Sequence, residues 1–359
     1  MSDTRTYAII GCGMMGREHM RNIALVEGAE LVAIADPDAG SREWAAKDAE
    51  RLGQTITVFA DSAEMLAKAK PHAVIIASPN FTHFDVVKPV MEAGCAVLME
   101  KPMCTRVDDA LALEQLVRDY DPLFWVGLEY RFMPPATRFT QRVHAGEAGP
   151  ITMLSIREHR FPFLPKVGDW NRFNRNTGGT LVEKCCHFFD LMRHILRDEP
   201  VRVFASGGQD VNHLDELYDG EVPDIIDNAF VLVDFAGGAR AVLDLCMFAE
   251  GSQDQEEISA VGPKGKLEVK LPSADVIWSP RAPRGPMIER VETPAEALAA
   301  GDHHGATYYQ MRHFHEALTS GGPPQITARD GSRSVVMGAA AQESIATGMP
   351  VPIAFKDQD

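Results

Sequence analysis

Cysteine is scarce in this sequence, and none of the six cysteines belongs to a C-x-x-C pair or to a densely spaced set. That spacing excludes a disulfide framework, so we expect reduced and mostly buried thiols. Long apolar runs are also missing, which argues against a membrane-spanning helix or a membrane partner. The first residues lead into a strand without a signal-peptide core, and we therefore expect a cytoplasmic protein.

Positive charge is also in short supply. The 35 basic residues face 51 acidic ones, which gives a net charge of −16 and argues against nucleic acid as a partner. Hydrophobic residues at 45% and charged residues at 24% are typical of a globular protein. A chain of 359 residues exceeds what one core usually organises. We predict one domain over residues 1–126 and a second over 127–359, and leave open whether the last helix packs back on the first domain.

The first third of the chain alternates short apolar runs with amphipathic stretches. Several of these runs are apolar at every position, which indicates strands buried on both faces. Strands of this kind separated by helices predict a doubly wound parallel sheet. The predicted strands are 7–10, 31–35, 73–77, 96–99 and 123–127, and the predicted helices are 17–25, 44–52, 63–69, 86–93 and 107–118.

After Arg131 the pattern changes to successive strands joined by short turns such as Gly237-Gly238. Such spacing predicts a mainly antiparallel sheet, so the second domain should be α+β. The predicted strands are 151–159, 201–206, 228–235, 239–248, 257–261 and 266–270, and the predicted helices are 178–196, 308–318 and 332–347.

A glycine-rich turn joins the first strand to the first helix. It reads Gly11-Cys12-Gly13-Met14-Met15-Gly16 and fits the pattern G-x-G-x-x-G. In that pattern the first glycine permits the tight turn, the second lets a pyrophosphate approach the backbone, and the third lets the helix pack closely on the strand. The N-terminus of the helix, at Met14 and Met15, would present its N–H groups to the phosphates. The turn predicts a bound dinucleotide.

Two further positions refine that prediction. Asp36 ends the second strand, where a carboxylate hydrogen-bonds the adenosine ribose and repels a 2′-phosphate. We therefore favour NAD over NADP, although Arg42 is close enough to leave NADP open. Ser78 and Asn80 follow the strand over 73–77, at the edge where ligands of open α/β sheets bind. Asn80 is predicted to contact the nicotinamide ribose, with an ordinary turn as the alternative.

Several motifs in order point to one family. They are Ser78-Pro79-Asn80-x-x-His83, Glu100-Lys101-Pro102, the run from Gly127 to Phe132, and Gly178-Gly179-Thr180-Leu181 leading to His187 and Asp190. With them the sequence resembles the Gfo/Idh/MocA oxidoreductases over most of its length. The resemblance implies hydride transfer between NAD(P) and a secondary alcohol, commonly of a sugar or cyclitol. It also implies a Rossmann domain joined to an open-faced sheet domain that is often used to form dimers or tetramers.

The resemblance also implies roles for individual residues. Lys101 matches the catalytic lysine of the family and His187 its usual general base. Glu183 falls where the family most often has Asp, so its role stays open. His83 and Glu100 lie in the cofactor motifs and are assigned to the cofactor site. Arg131 lies in the run between the domains and is assigned, with Lys101, to the substrate site.

These residue types suit alcohol oxidation on chemical grounds. A neutral histidine, with an ordinary pKa of ~6.5, can accept the hydroxyl proton. Lys101 can donate a hydrogen bond to the oxygen as negative charge develops on it. Glu183 and His187 are four residues apart, so one helix would place them on one face, either as a working pair or as an ordinary surface pair. Lys184 would point about 100° away, where only a wide pocket would include it.

Two other segments carry candidate substrate contacts. Trp170 and Arg172 could cover and hydrogen-bond a polyhydroxylated ring, although a surface loop is an equal alternative. His304 and Tyr308 could add further hydrogen bonds. The histidine pair around His304 lacks a cysteine pair or an H-E-x-x-H motif, so we expect no metal.

The leading prediction is therefore an NAD-dependent dehydrogenase acting on a secondary hydroxyl of a sugar, glycoside or inositol-like cyclitol. One alternative is an NAD-recycling enzyme that cleaves a glycoside through transient oxidation and elimination. The other is a non-catalytic NAD-binding sensor or co-repressor, which would not need Lys101 and His187. A sheet with one uncovered face would expose an apolar patch, which favours a homodimer or homotetramer through the C-terminal sheet.

Overall fold

The computed structural model describes residues 4–301 and 303–355. Contacts divide the chain into two units, and each unit is assembled from separate stretches of the sequence. Unit 1 comprises Met1–Phe132, Lys166–Trp170 and Pro294–Val335, and unit 2 comprises Met133–Pro165, Asn171–Thr293 and Val336–Asp359. The domain boundary between residues 126 and 127 stays a prediction.

Unit 1 is built on a parallel sheet. Among the described residues it has six strands in the order β3-β2-β1-β4-β5-β6. Every residue of β4 and β5 is buried, as the wholly apolar runs predicted. The edge strand β3 was not predicted, because it is short and two of its three residues are exposed. The strands are β1 (Arg5–Ile10), β2 (Ala29–Ala35), β3 (Thr57–Phe59), β4 (Ala73–Ile76), β5 (Ala96–Glu100) and β6 (Phe124–Gly127).

Helices follow the strands of unit 1, which confirms the doubly wound α/β class. They are α1 (Met14–Ala24), α2 (Ala39–Arg51), α3 (Ser62–Ala69), α4 (His83–Glu92) and α5 (Val107–Arg118). The prediction for α2 began five residues too late. The Asp38 carboxylate accepts a hydrogen bond from the Ser41 N–H and caps the helix at its true start.

Unit 2 contains further helices, α6 (Pro134–His144), α7 (Asn174–Thr177), α8 (Thr180–Glu183) and α9 (Cys186–Leu196). The single helix predicted over residues 178–196 is wrong. Gly178 and Gly179 have φ angles of 80° and 91°, outside the helical region, so a new helix begins only at Thr180. A second interruption follows at residues 184 and 185.

The sheet of unit 2 is mainly antiparallel, as predicted, with β7 and β10 as a parallel pair. Within the described residues its order is β14-β13-β12-β11-β7-β10-β9-β8-β15. All six predicted strands form, while β13, β14 and β15 were not predicted. The strands are β7 (Met153–His159), β8 (Pro200–Gly208), β9 (Asn228–Phe235), β10 (Arg240–Cys246), β11 (Glu256–Gly262), β12 (Gly265–Leu271), β13 (Asp275–Pro280), β14 (Met287–Arg290) and β15 (Val351–Pro352).

The last described helices are α10 (Ala295–Ala300), α11 (Ala306–Ser320) and α12 (Ala328–Thr347). Helices α11 and α12 lie near the predicted positions 308–318 and 332–347, whereas α10 was not predicted. Helix α12 begins in unit 1 and ends in unit 2. No helix in residues 4–301 and 303–355 combines the length and the apolar character needed to cross a membrane.

Candidate active site

The glycine turn after β1 is shaped by close backbone contacts. Gly11 has φ of +94°, and a Cβ atom there would lie 2.4 Å from the Ser78 nitrogen. A Cβ atom on Gly16 would lie 2.0 Å from the Gly11 carbonyl oxygen. Gly13 is different, because a Cβ atom on it would meet nothing within 4 Å. The turn is therefore tight at both ends and open in the middle, where α1 begins.

The Asp36 carboxylate lies against this turn. One oxygen accepts a hydrogen bond from the Cys12 N–H at 2.7 Å, and the other accepts one from the Asp38 N–H at 2.8 Å. A guanidinium nitrogen of Arg42 donates to the carbonyl oxygens of Asp36 and Pro37 at 2.6 and 2.8 Å. That nitrogen of Arg42 is thus already engaged by the backbone.

The end of β4 leads to Ser78, Asn80 and His83. Asn80 is buried, and its Nδ2 atom has no hydrogen-bond acceptor among the described residues. The imidazole of His83 is fully buried between two carbonyl oxygens, at 3.0 Å from that of Ser78 and 2.9 Å from that of Pro102. Burial lowers the pKa of His83 against the opposing effect of these carbonyls. His83 thus links the turn after β4 to the turn after β5.

Lys101 follows the last residue of β5, and a buried pair lies next to it. Glu100 and His19 are 3% and 0% exposed, and their Oε1 and Nε2 atoms are 2.7 Å apart. The other carboxylate oxygen of Glu100 accepts a hydrogen bond from the backbone N–H of Lys101 at 3.2 Å. Burial raises the pKa of Glu100, but His19 and Lys101 outweigh it and the net shift is downward. His19 was not singled out from the sequence, although it lies only three residues after Gly16.

A second buried carboxylate belongs to the same cluster. Glu129 is 1% exposed, and burial, together with the Glu100 carboxylate, raises its pKa to about 7 against the opposing charges of His303 and Lys101. His303 also lies 3.3 Å from the buried Glu18 carboxylate. Buried titratable groups from separate parts of unit 1 thus interact with one another next to Lys101.

Glu129→Gln is expected to remove part of the pH dependence of stability. The pKa of about 7 in the folded protein exceeds the ordinary value of about 4.3, so the folded state holds the extra proton between these values. The free energy of unfolding should therefore fall as pH rises through that window, by at most about 1.4 kcal/mol per pH unit. Urea unfolding from about pH 5 to pH 8 should show a shallower fall in the variant. Glu27→Gln, at an exposed position, serves as the control, and equal slopes in all three proteins would contradict the assignment.

In unit 2, Glu183 and His187 lie on either side of the interruption between α8 and α9. The prediction that one continuous helix places them on one face is therefore wrong. Both side chains are buried, at 5% and 1% exposure, which also excludes an ordinary solvent-facing pair. Asp190, one turn further along α9, is fully buried.

Lys184 was set aside from the sequence, yet its side chain is central to this segment. It is 3% exposed, and its Nζ atom lies 3.0 Å from Oε1 of Glu158, which is fully buried. A signal for Glu158 was present in the sequence. The alternation of β7 places it on the same face as Leu154 and Ile156, where a charged residue requires a partner.

The remaining predicted substrate residues have well-defined surroundings. Trp170 packs edge-to-face on Phe81, the neighbour of Asn80, with 6.1 Å between the rings. Arg172 is 3% exposed and donates to the Glu216 carboxylate at 3.1 Å.

Three further predicted substrate residues, Arg131, His304 and Tyr308, belong to unit 1. Arg131 pairs with Asp330 at 3.1 Å and donates to a backbone carbonyl. His304 has φ of 52° just before α11, and Tyr308 lies in its first turn. Asp302, which precedes this group, lies outside the described residues. Across the part of the chain that the structure describes, no three His, Cys, Asp or Glu side chains are grouped to hold a metal ion.

The parallel sheet and the glycine turn define a Rossmann-type dinucleotide-binding unit. Residues 5–128 match the family described as "Oxidoreductase family, NAD-binding Rossmann fold", and residues 140–353 match "Oxidoreductase family, C-terminal alpha/beta domain". The chain belongs to the Gfo/Idh/MocA oxidoreductase family, as its motifs predicted. This membership confirms the predictions of an enzyme and of an NAD cofactor.

Relatives match the chain over nearly its whole length. It is 29% identical to the uncharacterized oxidoreductase YrbE of Bacillus subtilis, over 96% of this chain and 95% of that protein. It is 27% identical to scyllo-inositol 2-dehydrogenase (NAD(+)) of the same organism, over 97% and 96% of the two chains. A levoglucosan dehydrogenase solved with NADH has a TM-score of 0.86 at 20% identity, covers 98% and 99% of the two chains, and shows similarity of fold.

Proposed function

We propose that this protein is an NAD-dependent dehydrogenase that oxidises a secondary hydroxyl of a sugar, glycoside or inositol-like cyclitol. The observation that carries the proposal is the position of Lys101 at the carboxyl end of β5. Strand β5 pairs in parallel with β4, so Lys101 and the turn containing Asn80 share one edge of the sheet. Ligands of open α/β sheets bind at that edge. Relatives named as inositol 2-dehydrogenases support the substrate class.

The residues at this edge fit NAD. The open space at Gly13 suits a pyrophosphate, and the N–H groups of Met14 and Met15 begin α1 beside it. The carboxylate of Asp36 can accept hydrogen bonds from ribose hydroxyls, and the buried Nδ2 atom of Asn80 can donate one. When bound, NAD supplies the acceptor for the hydrogen and electron pair that leave the substrate carbon.

The chain's own residues handle the hydroxyl group. We propose that the Lys101 ammonium donates a hydrogen bond to the substrate oxygen and stabilises the negative charge that develops there. His187 accepts the hydroxyl proton. Glu183 either orients His187 or accepts a hydrogen bond from a neighbouring substrate hydroxyl. The pairing of Glu100 with His19 holds the end of β5, and with it the base of the Lys101 side chain.

Other proposed substrate residues are assigned to the substrate site without a role in the chemical step. Trp170 lies beside Phe81, next to Asn80, and its ring can cover the apolar face of a sugar. We keep Arg172, His304, Tyr308 and Arg131 as proposed substrate residues. Carboxylates hold both guanidinium groups in place, Glu216 that of Arg172 and Asp330 that of Arg131. This supports a role for both arginines in orienting the substrate.

A screen for NADH formation at 340 nm tests the proposal. The panel contains myo-inositol, scyllo-inositol, levoglucosan, free sugars and glycosides, each assayed with NAD and with NADP. Stoichiometric NADH from one of these polyols supports the dehydrogenase. Cleavage of a glycoside without net NADH would instead support the NAD-recycling alternative. NAD binding without turnover of any compound would support a sensor.

Asp36→Asn is expected to weaken NAD binding about 10- to 100-fold and to narrow the preference for NAD over NADP. The amide keeps the size of the side chain but removes the charge that repels a 2′-phosphate. Titration calorimetry with both cofactors measures the two affinities. Asp61→Asn is the control for general effects on unit 1. Asp61 caps α3 in the same way that Asp38 caps α2. An unchanged ratio of the two affinities in Asp36→Asn would contradict the assignment.

We also propose that the protein forms a homodimer or homotetramer through the sheet of unit 2, in the cytoplasm. One face of that sheet carries exposed apolar side chains on adjacent strands. Phe204 on β8 lies opposite Leu232 on β9, and Phe230 follows on the same face at 64% exposure; half-buried Val242 on β10 lies on the other side of Leu232. A row of this kind favours association with a second copy. Light scattering of the protein in solution tests the assembly, and a monomer would refute it.

A further inference from the structure

The helical segment that carries Glu183 and His187 is interrupted between them. The N–H of Cys185 reaches back five residues to the Thr180 carbonyl, at 3.3 Å. The N–H of Phe188 reaches back only three residues to the Cys185 carbonyl, at 2.9 Å. A regular α-helix would use four-residue steps throughout. The directions of the two side chains are therefore not set by one continuous helical repeat.

Lys184 lies at the interruption. Its Nζ atom is 3.0 Å from Oε1 of Glu158 and 5.5 Å from the centre of the Phe188 ring. Gln255 and Arg160 also approach the same oxygen of Glu158, at 3.5 and 3.4 Å. The side chain of Lys184 thus ties the interrupted segment to strand β7.

The pair is embedded in the buried face of the sheet. Glu256 on β11 lies directly opposite Glu158 and is 1% exposed, so two carboxylates share this end of the apolar face. The cations of Lys184 and Arg160 lie 3.0 and 3.4 Å from the Glu158 carboxylate. Burial and Glu256 raise the pKa of Glu158 to about 7, against the lowering effect of these cations. Buried ion pairs contribute little net stability compared with apolar residues, so a positional role is the better reason for one here.

We propose that the Glu158–Lys184 ion pair positions Glu183 and His187 for the reaction, so that Lys184 and Glu158 are positioning residues. This inference rests on the proposed function of His187. The pair acts on the segment between α8 and α9, where the backbone hydrogen bonds depart from the four-residue helical repeat. Losing the pair would shift His187, and a displacement of about 1 Å lowers catalytic rates by up to about 100-fold.

A double-mutant cycle tests the proposal with the polyol that reacts fastest in the NADH screen. Lys184→Met is expected to lower kcat about 10- to 100-fold in the otherwise unchanged protein, with NAD affinity within about twofold. In a His187→Asn background the same substitution should change kcat by less than about twofold, because the positioned group is already absent. Lys184→Arg keeps the cation and should restore most of the activity. Lys266→Met, in a solvent-accessible pair with Glu268, is the matched control.

A spectroscopic measurement adds a readout without substrate. The ring resonances of His187 in histidine-labelled protein should shift in Lys184→Met and return in Lys184→Arg. If Lys184→Met does not fold, Glu158→Gln replaces it in the double-mutant cycle with His187→Asn. Equal fold losses of kcat in both backgrounds, or unmoved His187 resonances, would overturn the positioning role. Full activity of His187→Asn would instead overturn the proposed function on which it rests.

Discussion

Lys101→Met is expected to lower kcat by about 10²–10³ while NAD affinity stays within about threefold. Methionine keeps the length of the side chain but cannot donate a hydrogen bond to an oxygen that becomes negative. The buried Glu100–His19 pair, at 2.7 Å, remains to hold the end of β5, so the glycine turn should keep its shape. Steady-state kinetics with the best polyol of the screen and calorimetry with NAD measure the two quantities.

His187→Asn should lower kcat by about 10²–10⁴, because the variant lacks a base for the hydroxyl proton. Its NAD affinity should also stay near that of the unchanged protein, since the glycine turn belongs to unit 1 and His187 to unit 2. His313→Asn is the control, because this histidine is partly exposed and pairs with Glu316 on the surface of α11. Turnover that survives in both Lys101→Met and His187→Asn would refute the assigned chemistry.

Gly16→Ala is expected to lower both the stability and the NAD affinity of the protein. The new Cβ atom would lie 2.0 Å from the Gly11 carbonyl oxygen, a backbone atom that cannot rotate away. Relief requires α1 to move from β1, which should reduce the free energy of unfolding by about 1–3 kcal/mol or more. The same movement displaces the helix N–H groups from the phosphate position. Urea unfolding and calorimetry with NAD measure the two effects.

Gly13→Ala is the matched comparison, because its Cβ atom would enter open space. Gly13 has φ of −69°, which alanine adopts without strain, so stability should change by less than about 1 kcal/mol. NAD affinity should still fall about tenfold or more, since the methyl group occupies the space proposed for the pyrophosphate. Unchanged NAD affinity in Gly13→Ala would show that the cofactor does not approach this turn. Normal stability of Gly16→Ala would show that the packing at the turn is looser than the structure has it.

Much of unit 1 could be predicted because its signals are local. The strand predicted over residues 73–77 forms as β4, and the helix over 107–118 forms as α5 with the same bounds. Strands buried on both faces are apolar throughout, so they are visible in the sequence without knowledge of their neighbours. The glycine turn is equally local. Gly11 and Gly16 approach backbone atoms at the ends of β4 and β1, and Gly13 faces open space. The family match confirms the cofactor that the turn predicted.

The segment over residues 178–196 shows what local signals miss. Its apolar pattern predicts one helix, and nothing in the sequence marks the interruption after Glu183. The interruption falls at Lys184, whose ammonium lies beside the Glu158 carboxylate on strand β7. Likewise, Glu129 looks like an ordinary acid in the sequence. Its pKa of about 7 comes from burial beside Glu100, which only the folded chain provides.

The sequence by itself thus determined the α/β class, the place of the NAD-binding turn, the family and the residues assigned to the chemistry. These properties depend on patterns of neighbouring residues, on glycine conformations and on short motifs. The tertiary structure alone decided that Glu183 and His187 lie on two helices, that His19 pairs with Glu100 and that Lys184 pairs with Glu158. Buried charges acquire their partners and their pKa values from strands and helices distant in the chain, so their roles follow from folding and not from local pattern.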